Sequence, residues 1–351
     1  MNENADINEI REDIAKHVDW ALDRKIPLPE LQATFRSVKN SLSARNGEGL
    51  KTKLNSEFDL QKLSKLKKEL EKLLKSHVFF DDKLISVYYE VNVEETVGKL
   101  SEFFKTNLST CPENETEYHP IKEVKLSDSV SLFQFSIVRE ISVRDILDPN
   151  DLVESISEDY QQLIGIKKIP LACYDLVICD TENNYIVVAM DLASVLSRSD
   201  LNLAYINFNN YIRKNIGVTL TNACDFFPKI QELYDEKTGK NGVTEIVFMT
   251  PHGTTHNERL KGHQKDLRDA TYHDEGTKAV RNEKVDGKLL GNDITPYRIS
   301  MRYYFDNKNL DTSLKSSYQA INTQNGSHLY EAYIYGTRSI DDLNFILGKL
   351  I

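Results

Sequence analysis

Residues 171–191, LACYDLVICDTENNYIVVAMD, decide the fold class of this chain. Two runs rich in β-branched and apolar residues, 171–180 and 185–191, flank the short polar stretch Thr181-Glu182-Asn183-Asn184. That pattern predicts a β-hairpin. Upstream, 130–141 (VSLFQFSIVREI) reads as another strand. Its residues Leu132, Phe133, Phe135, Ile137 and Val138 are too apolar for a strand with one wet face, so cover on both faces is expected. Residues 118–126 add an edge-strand candidate.

Downstream, 245–250 and 297–305 are strand candidates, and 329–335 (LYEAYIY) is a further one. The 297–305 run alternates: Ile299, Met301, Tyr303 and Phe305 on one side, Arg298, Ser300, Arg302 and Tyr304 on the other. Helical patterns are read over 152–164, 203–216, 226–234, 312–322 and 340–350. Ser339 or Thr337 is placed to cap the last of these. The whole predicts an α+β (mixed) fold, with a central mixed β-sheet of about five to seven strands flanked by helices.

The N-terminal third is mainly helical. Helices are expected over 10–22, 31–44 and 59–76, with a turn or linker at 44–49, followed by a strand at 83–93 and a helix at 94–107. The 59–76 helix carries leucines at 60, 63, 66, 70, 73 and 74, lysines on its other faces, and Asp59 in capping position. The polar stretch 109–115 is the expected boundary. It divides a mainly helical N-terminal domain, 1–110, from a mixed α/β C-terminal domain, 116–351.

The chain has 351 residues, 40 % apolar and 28 % charged, with a formal net charge of -10. This is a globular composition with a core, and it argues against non-specific wrapping of long nucleic acid. A local basic patch is compatible with it. No window has the length and apolarity of a membrane span, and the acidic start MNENADINEIRED lacks a leader's apolar region. Cys111, Cys173, Cys179 and Cys224 are scattered, which suits reduced thiols and a cytoplasmic protein.

Candidate chemistry concentrates in a long polar loop, 251–296, which holds His252, His256, His263 and His273. A connection of that length is unusual in a compact domain. Its part 275–292 is expected to be mobile or to order on a partner. The candidate catalytic set is His252, His256, His263, Asp266 and Asp269, with histidine as a general base near neutral pH. A helix over 258–273 would put Asp269 and His273 on one face, and His256, Asp269 and His273 are candidate ligands for a divalent metal ion. Arg298, Arg302, Tyr304, Lys261 and Lys265 are candidate nucleic-acid contacts, through phosphate pairing and base stacking. Asp175, Asp180 and Asp191 invite comparison with magnesium-dependent nucleases, although a lysine two residues past Asp191 is missing. Glu154 and Glu158 form a weaker carboxylate pair.

These features lead to two expectations. The first is a nucleic-acid-associated protein with DNA or RNA as partner, either a metal-dependent nuclease or the binding subunit of a larger complex. The second is a non-catalytic interaction or assembly subunit with a protein partner or a second copy of itself. A pocket shared by the histidine loop and the arginine face would separate them.

Overall fold

The computed structural model describes residues 3–89, 92–107, 116–147, 163–192, 198–261, 264–306, 308–321 and 326–351. Its first part is helical: α1 (Glu3–Asp23), α2 (Leu28–Val38), a 3-10 turn (Asn40–Leu42), α3 (Gly47–Leu54) and α4 (Leu60–Phe80). The leucine stripe of α4 sets this packing. Leu63, Leu66, Leu70 and Leu74 are buried against Ile14, Val18, Leu31, Phe35, Leu50 and Leu54. Asp59 caps α4 by accepting from the backbone N–H groups of Gln61 and Lys62, each at 3.1 Å. Lys65, Lys68, Lys72 and Lys75 point to solvent. The turn or linker expected at 44–49 extends only over 44–46, and 47–49 are already a helix start. Asn46 accepts from Gly49 N–H at 2.8 Å and opens α3.

The rest comprises β1 (Lys83–Tyr89), α5 (Val93–Asn107), β2 (His119–Lys125), β3 (Val130–Leu147), β4 (Leu163–Asp180), β5 (Tyr185–Asp191), α6 (Arg198–Asn215) and α7 (Lys229–Asp235). There follow β6 (Asn241–Met249), β7 (Thr255–Arg259), a 3-10 turn (Leu267–Asp269), α8 (Thr271–Arg281), β8 (Lys284–Val285) and β9 (Lys288–Leu289). The chain continues through β10 (Thr295–Tyr304), β11 (Asn309–Lys315), α9 (Tyr318–Ile321), β12 (Ala332–Tyr335) and α10 (Ile340–Leu350).

The α+β class with a large central sheet flanked by helices is what the structure has. The sheet is larger than expected, with ten strands in the order β2-β3-β4-β5-β1-β12-β11-β10-β6-β7. Every pairing among the described strands is antiparallel, so the expected mixture of directions is absent there. Strand β1 pairs with β5 on one side and β12 on the other. A division at 110–116 therefore does not separate helices from sheet, because residues 83–89 supply a central strand.

Cover on the two faces differs between the halves of the sheet. In β5, Tyr185, Val187 and Ala189 enter one core, and Ile186, Val188 and Met190 enter the other. The first core is closed by residues of α4, α7 and α10, the second by residues of α5 and α6. In β10, Ile299, Met301 and Tyr303 enter the first core, while Arg298, Ser300, Arg302 and Tyr304 on the other side are half-buried. The alternation read from the sequence holds over 298–304, Phe305 being exposed past the strand's end, and among the described residues one face of this half has no cover.

Two expected helices fall elsewhere. Of 312–322, residues 312–315 end the strand β11 and 318–321 form the short helix α9. Along β11, Leu310, Thr312, Ser313 and Leu314 are buried while Asp311 and Lys315 are half-buried. Of the expected helix 152–164, residues 152–162 lie outside the described residues, as do 109–115, Cys111, Glu154 and Glu158, and 163–164 begin β4. Among the described residues no helix is long and apolar enough to cross a membrane.

A buried histidine joins the helices to the sheet. His77, near the end of α4, lies with Nδ1 2.9 Å from Asp81 Oδ2 and Nε2 3.1 Å from Glu30 Oε2 on α2. Arg338, between β12 and α10, pairs with the same two carboxylates. Burial alone would lower the His77 pKa, but Asp81 and Glu30 together hold it above its ordinary value. A raised folded pKa means that this stabilisation is complete below about pH 6.5 and is lost as pH rises through the folded value. The urea midpoint is expected to fall as pH rises through that window, and His77→Gln is expected to flatten the fall. Equal pH profiles for the two proteins would show that His77 does not titrate between these carboxylates.

Candidate functional site

The sheet separates the residues that the sequence reading placed together. Residues opposite one another in an antiparallel pair point to the same face. His256 is opposite Phe248 and stacks on its ring, at 5.1 Å between centroids and 6° between planes. Phe248 belongs to the first core, and so does Ile299 of β10. Arg298, Ser300, Arg302 and Tyr304 therefore point away from His256, on the opposite face.

His273 is also on the first-core side, packed edge-on against Phe248. It is buried, with Nδ1 2.7 Å from Glu258 Oε2 and Nε2 2.9 Å from the Tyr234 hydroxyl. Both ring nitrogens are engaged, which makes it a structural link between α8, β7 and α7. Asp269 is exposed and pairs with Lys237 at 2.6 Å. His252 is exposed and bonds Glu283 at 3.0 Å. His263 lies outside the described residues. The expected helix over 258–273 starts only at Thr271, so Asp269 and His273 do not share a helix face. The set His256, Asp269 and His273 is not brought together, and among the described residues no group of three His, Cys, Asp or Glu gathers as a metal site would.

Asp266 is a clamp. Its carboxylate accepts from Arg268 Nε at 2.9 Å and Nη2 at 2.7 Å, and from Val243 N–H at 3.2 Å. Arg268 in turn donates to the carbonyls of Tyr234 and Glu236, each at 2.7 Å. Burial would raise the Asp266 pKa, but Arg268 holds it below the ordinary carboxylate range. This clamp anchors the stretch 264–266 beside β6. Gly242 makes the close approach possible, because a Cβ there would strike the Lys265 carbonyl.

The carboxylates Asp175 and Asp191 are fully buried. Asp191 accepts from Arg24 Nη2 at 2.9 and 2.8 Å and from Tyr174 N–H at 2.8 Å, with Lys83 Nζ at 3.6 Å. Asp175 pairs with Arg139, and accepts from the Tyr118 hydroxyl at 3.1 Å and from Asp191 N–H at 2.8 Å. Asp180 accepts from the N–H groups of Glu182 at 3.0 Å and Asn183 at 2.9 Å, which shapes the hairpin turn. The positive charge facing these carboxylates comes from Arg24, Arg139 and Lys83. Their arrangement fastens α1 and β1 to the sheet.

The open face carries a polar groove of about 330 Å³. It is lined by the cations Arg259, Arg302 and Lys315, the phenols of Tyr304 and Tyr335, and the acids Glu245 and Asp311, with Gln264 and small hydroxyl residues between them. Strand register builds it. Glu245 faces Arg259, Arg302 faces Asp311, and Ser300 faces both Glu245 and Ser313. Arg302 forms a forked pair with Asp311 at 2.7 and 2.6 Å. Arg298 donates to the Ser316 carbonyl at 2.5 Å. Tyr304 donates to the Lys265 carbonyl at 2.5 Å, and the Lys265 ammonium lies 5.4 Å over its ring. Lys315 lies 4.5 Å over the Tyr333 ring, and Lys261 is exposed. Arg259 is the most open of the groove's ion-paired cations, its side chain 73 % exposed and only 3.8 Å from Glu245.

Two of the expected nucleic-acid contacts, Arg302 and Tyr304, therefore line the groove, with Lys265 beside it. The sequence reading missed Arg259, Gln264, Lys315 and Tyr335. Lys315 lies opposite Arg298, a register that the sequence of 309–315 does not encode. No family model matches this sequence, and no curated protein matches it.

Proposed function

We propose that the chain is a nucleic-acid-associated binding protein that takes a single-stranded segment of DNA or RNA on the open sheet face. The observation that carries this reading is the groove itself, where three cations and two tyrosine rings lie on a sheet face without a covering helix among the described residues. Cations that track phosphates and aromatic rings that stack bases are the means by which single strands are held without sequence reading. The volume suits one or two nucleotide units more than a duplex. Glu245 and Asp311 offset part of the positive charge, so modest affinity with strong salt dependence is expected. The histidines on the far face have no part in this binding.

Fluorescence anisotropy with labelled single-stranded 15-mers of DNA and RNA, over a range of salt, tests it. The logarithm of the affinity should fall linearly with the logarithm of salt, by about 0.7 per phosphate engaged. Arg259→Ala should lower that slope by about one contact. Tyr335→Ala should weaken binding by about 1–3 kcal/mol. Failure to retain either oligonucleotide at low salt would end this reading.

A second reading, an assembly subunit, is favoured by a different observation. Beyond Ser136 in β3 and before Leu176 in β4, the two strands pair only with each other among the described residues. On one face of this ribbon Ile146 faces Ile164 and Arg144 faces Ile166, and the isoleucines are 73 %, 54 % and 68 % exposed. Apolar ribbon faces with open edges are self-association surfaces. Sedimentation velocity is expected to show concentration-dependent association that Ile166→Lys abolishes. A monomer at every concentration would remove this second reading.

A further inference from the structure

A second cavity, of about 510 Å³, lies in the N-terminal helices and is lined by Gln32, Arg36, Ser43, Ala44, Arg45 and Lys53. It differs from the sheet groove in its charge, having three cations and no carboxylate in its lining. Neither Arg36 nor Arg45 pairs with a carboxylate among the described residues, and both are exposed. Neighbouring cations do pair: Lys39 with Glu57 at 2.6 Å, and Lys51 with Asp19 and Glu48 at 2.7 Å.

The frame of this cavity is fixed. Gln32 Nε2 donates to the Ala44 carbonyl at 2.8 Å, and the Lys53 ammonium donates to the Ser43 carbonyl. These bonds hold the stretch that carries Arg45 between α2 and α3. Helix dipoles account for part of the positive charge, since Arg36 and Lys53 stand in the last turns of α2 and α3. They do not account for Arg45. It immediately precedes Asn46, the N-cap of α3, where the helix dipole is positive and a cation is disfavoured. Three cations gathered without a counter-charge, in a chain of net charge -10, call for an anion from outside. The overall negative field is screened within about 8 Å at physiological salt, so it does not cancel a local site of this kind.

We propose that this cavity binds a small phosphate-bearing anion, with Arg36 and Arg45 as guanidinium forks and Lys53 as the point charge. The site is independent of the sheet groove and of any nucleic-acid binding there. The test is calorimetric titration of the full chain with inorganic pyrophosphate at low salt, alongside an unphosphorylated single-stranded oligonucleotide. Pyrophosphate is expected to bind saturably. Arg36→Ala/Arg45→Ala should weaken it at least tenfold, Arg36→Lys/Arg45→Lys should fall between, and Arg259→Ala should leave it unchanged. Both arginines are exposed, and an unchanged thermal melt confirms that the variants fold. The proposal is overturned if pyrophosphate does not bind, if the double alanine variant binds like the parent, or if only the oligonucleotide competes for these arginines.

Discussion

Asp191→Ala is expected to lower the stability of this protein by about 3–5 kcal/mol, enough to unfold a large fraction of it at moderate urea. Asp191 is fully buried and faces Arg24, 4 % exposed, and Lys83, 1 % exposed. Burial by itself would push the Asp191 pKa up, but Arg24 and Lys83 hold it down, so it is ionised at neutral pH. Its removal strands two cations in a medium that solvates them poorly, which is the costly direction in which to break a buried pair. Lys83→Met should be far milder, because Asp191 keeps its forked bond to Arg24 and the Tyr174 N–H. Burial depresses the Lys83 pKa while Asp191 acts to raise it, and the methionine removes the cation together with its desolvation cost. Urea midpoints at neutral pH decide the matter. An Asp191→Ala variant as stable as the parent would show that the cluster is solvated and does not fasten α1 to the sheet.

Ile346→Ala is the second large effect, at about 2–5 kcal/mol. Ile346 is fully buried on α10, with Leu343, Leu347 and Leu350 in the core beside the sheet. Ser339 caps this helix by accepting from Asp342 N–H at 3.3 Å. The wide spread reflects how far neighbouring side chains can close the space left behind. Chemical unfolding that matches the parent would mean that α10 does not dock as the structure has it.

Local patterns were legible in the sequence where one physical rule dominated. The hairpin at 171–191, the alternation in β10, the leucine stripe of α4 with its Asp59 cap and the last helix with Ser339 all follow from periodicity and capping. The strand β11 was not read, because its small polar residues, Thr312 and Ser313, fit a helix start as well as a strand. Its neighbours β10 and β12 settle the choice by pairing with it. The candidate site failed for a different reason. Which face His256 takes depends on its register opposite Phe248, a fact of pairing that its own segment does not encode. Likewise, Lys83 of β1 lies opposite Asp191, a partner that no spacing around Asp191 encodes. Arg259 and Lys315 met in one groove only because both of their strands flank the β6–β10 pair.

The central place of β1 has a consequence for biosynthesis. Leu84 and Ile85 wait for Tyr333 and Ala332, nearly 250 residues later in the chain. At ordinary translation rates of about 5–20 residues per second, that interval is roughly 12–50 s. During it a nascent chain can pair β1 with β5, yet the other edge of β1 stays open, with apolar side chains on both of its faces. A ribosome-bound intermediate with such a seam is a natural client for holding chaperones, and the β12 segment is the one whose arrival releases it.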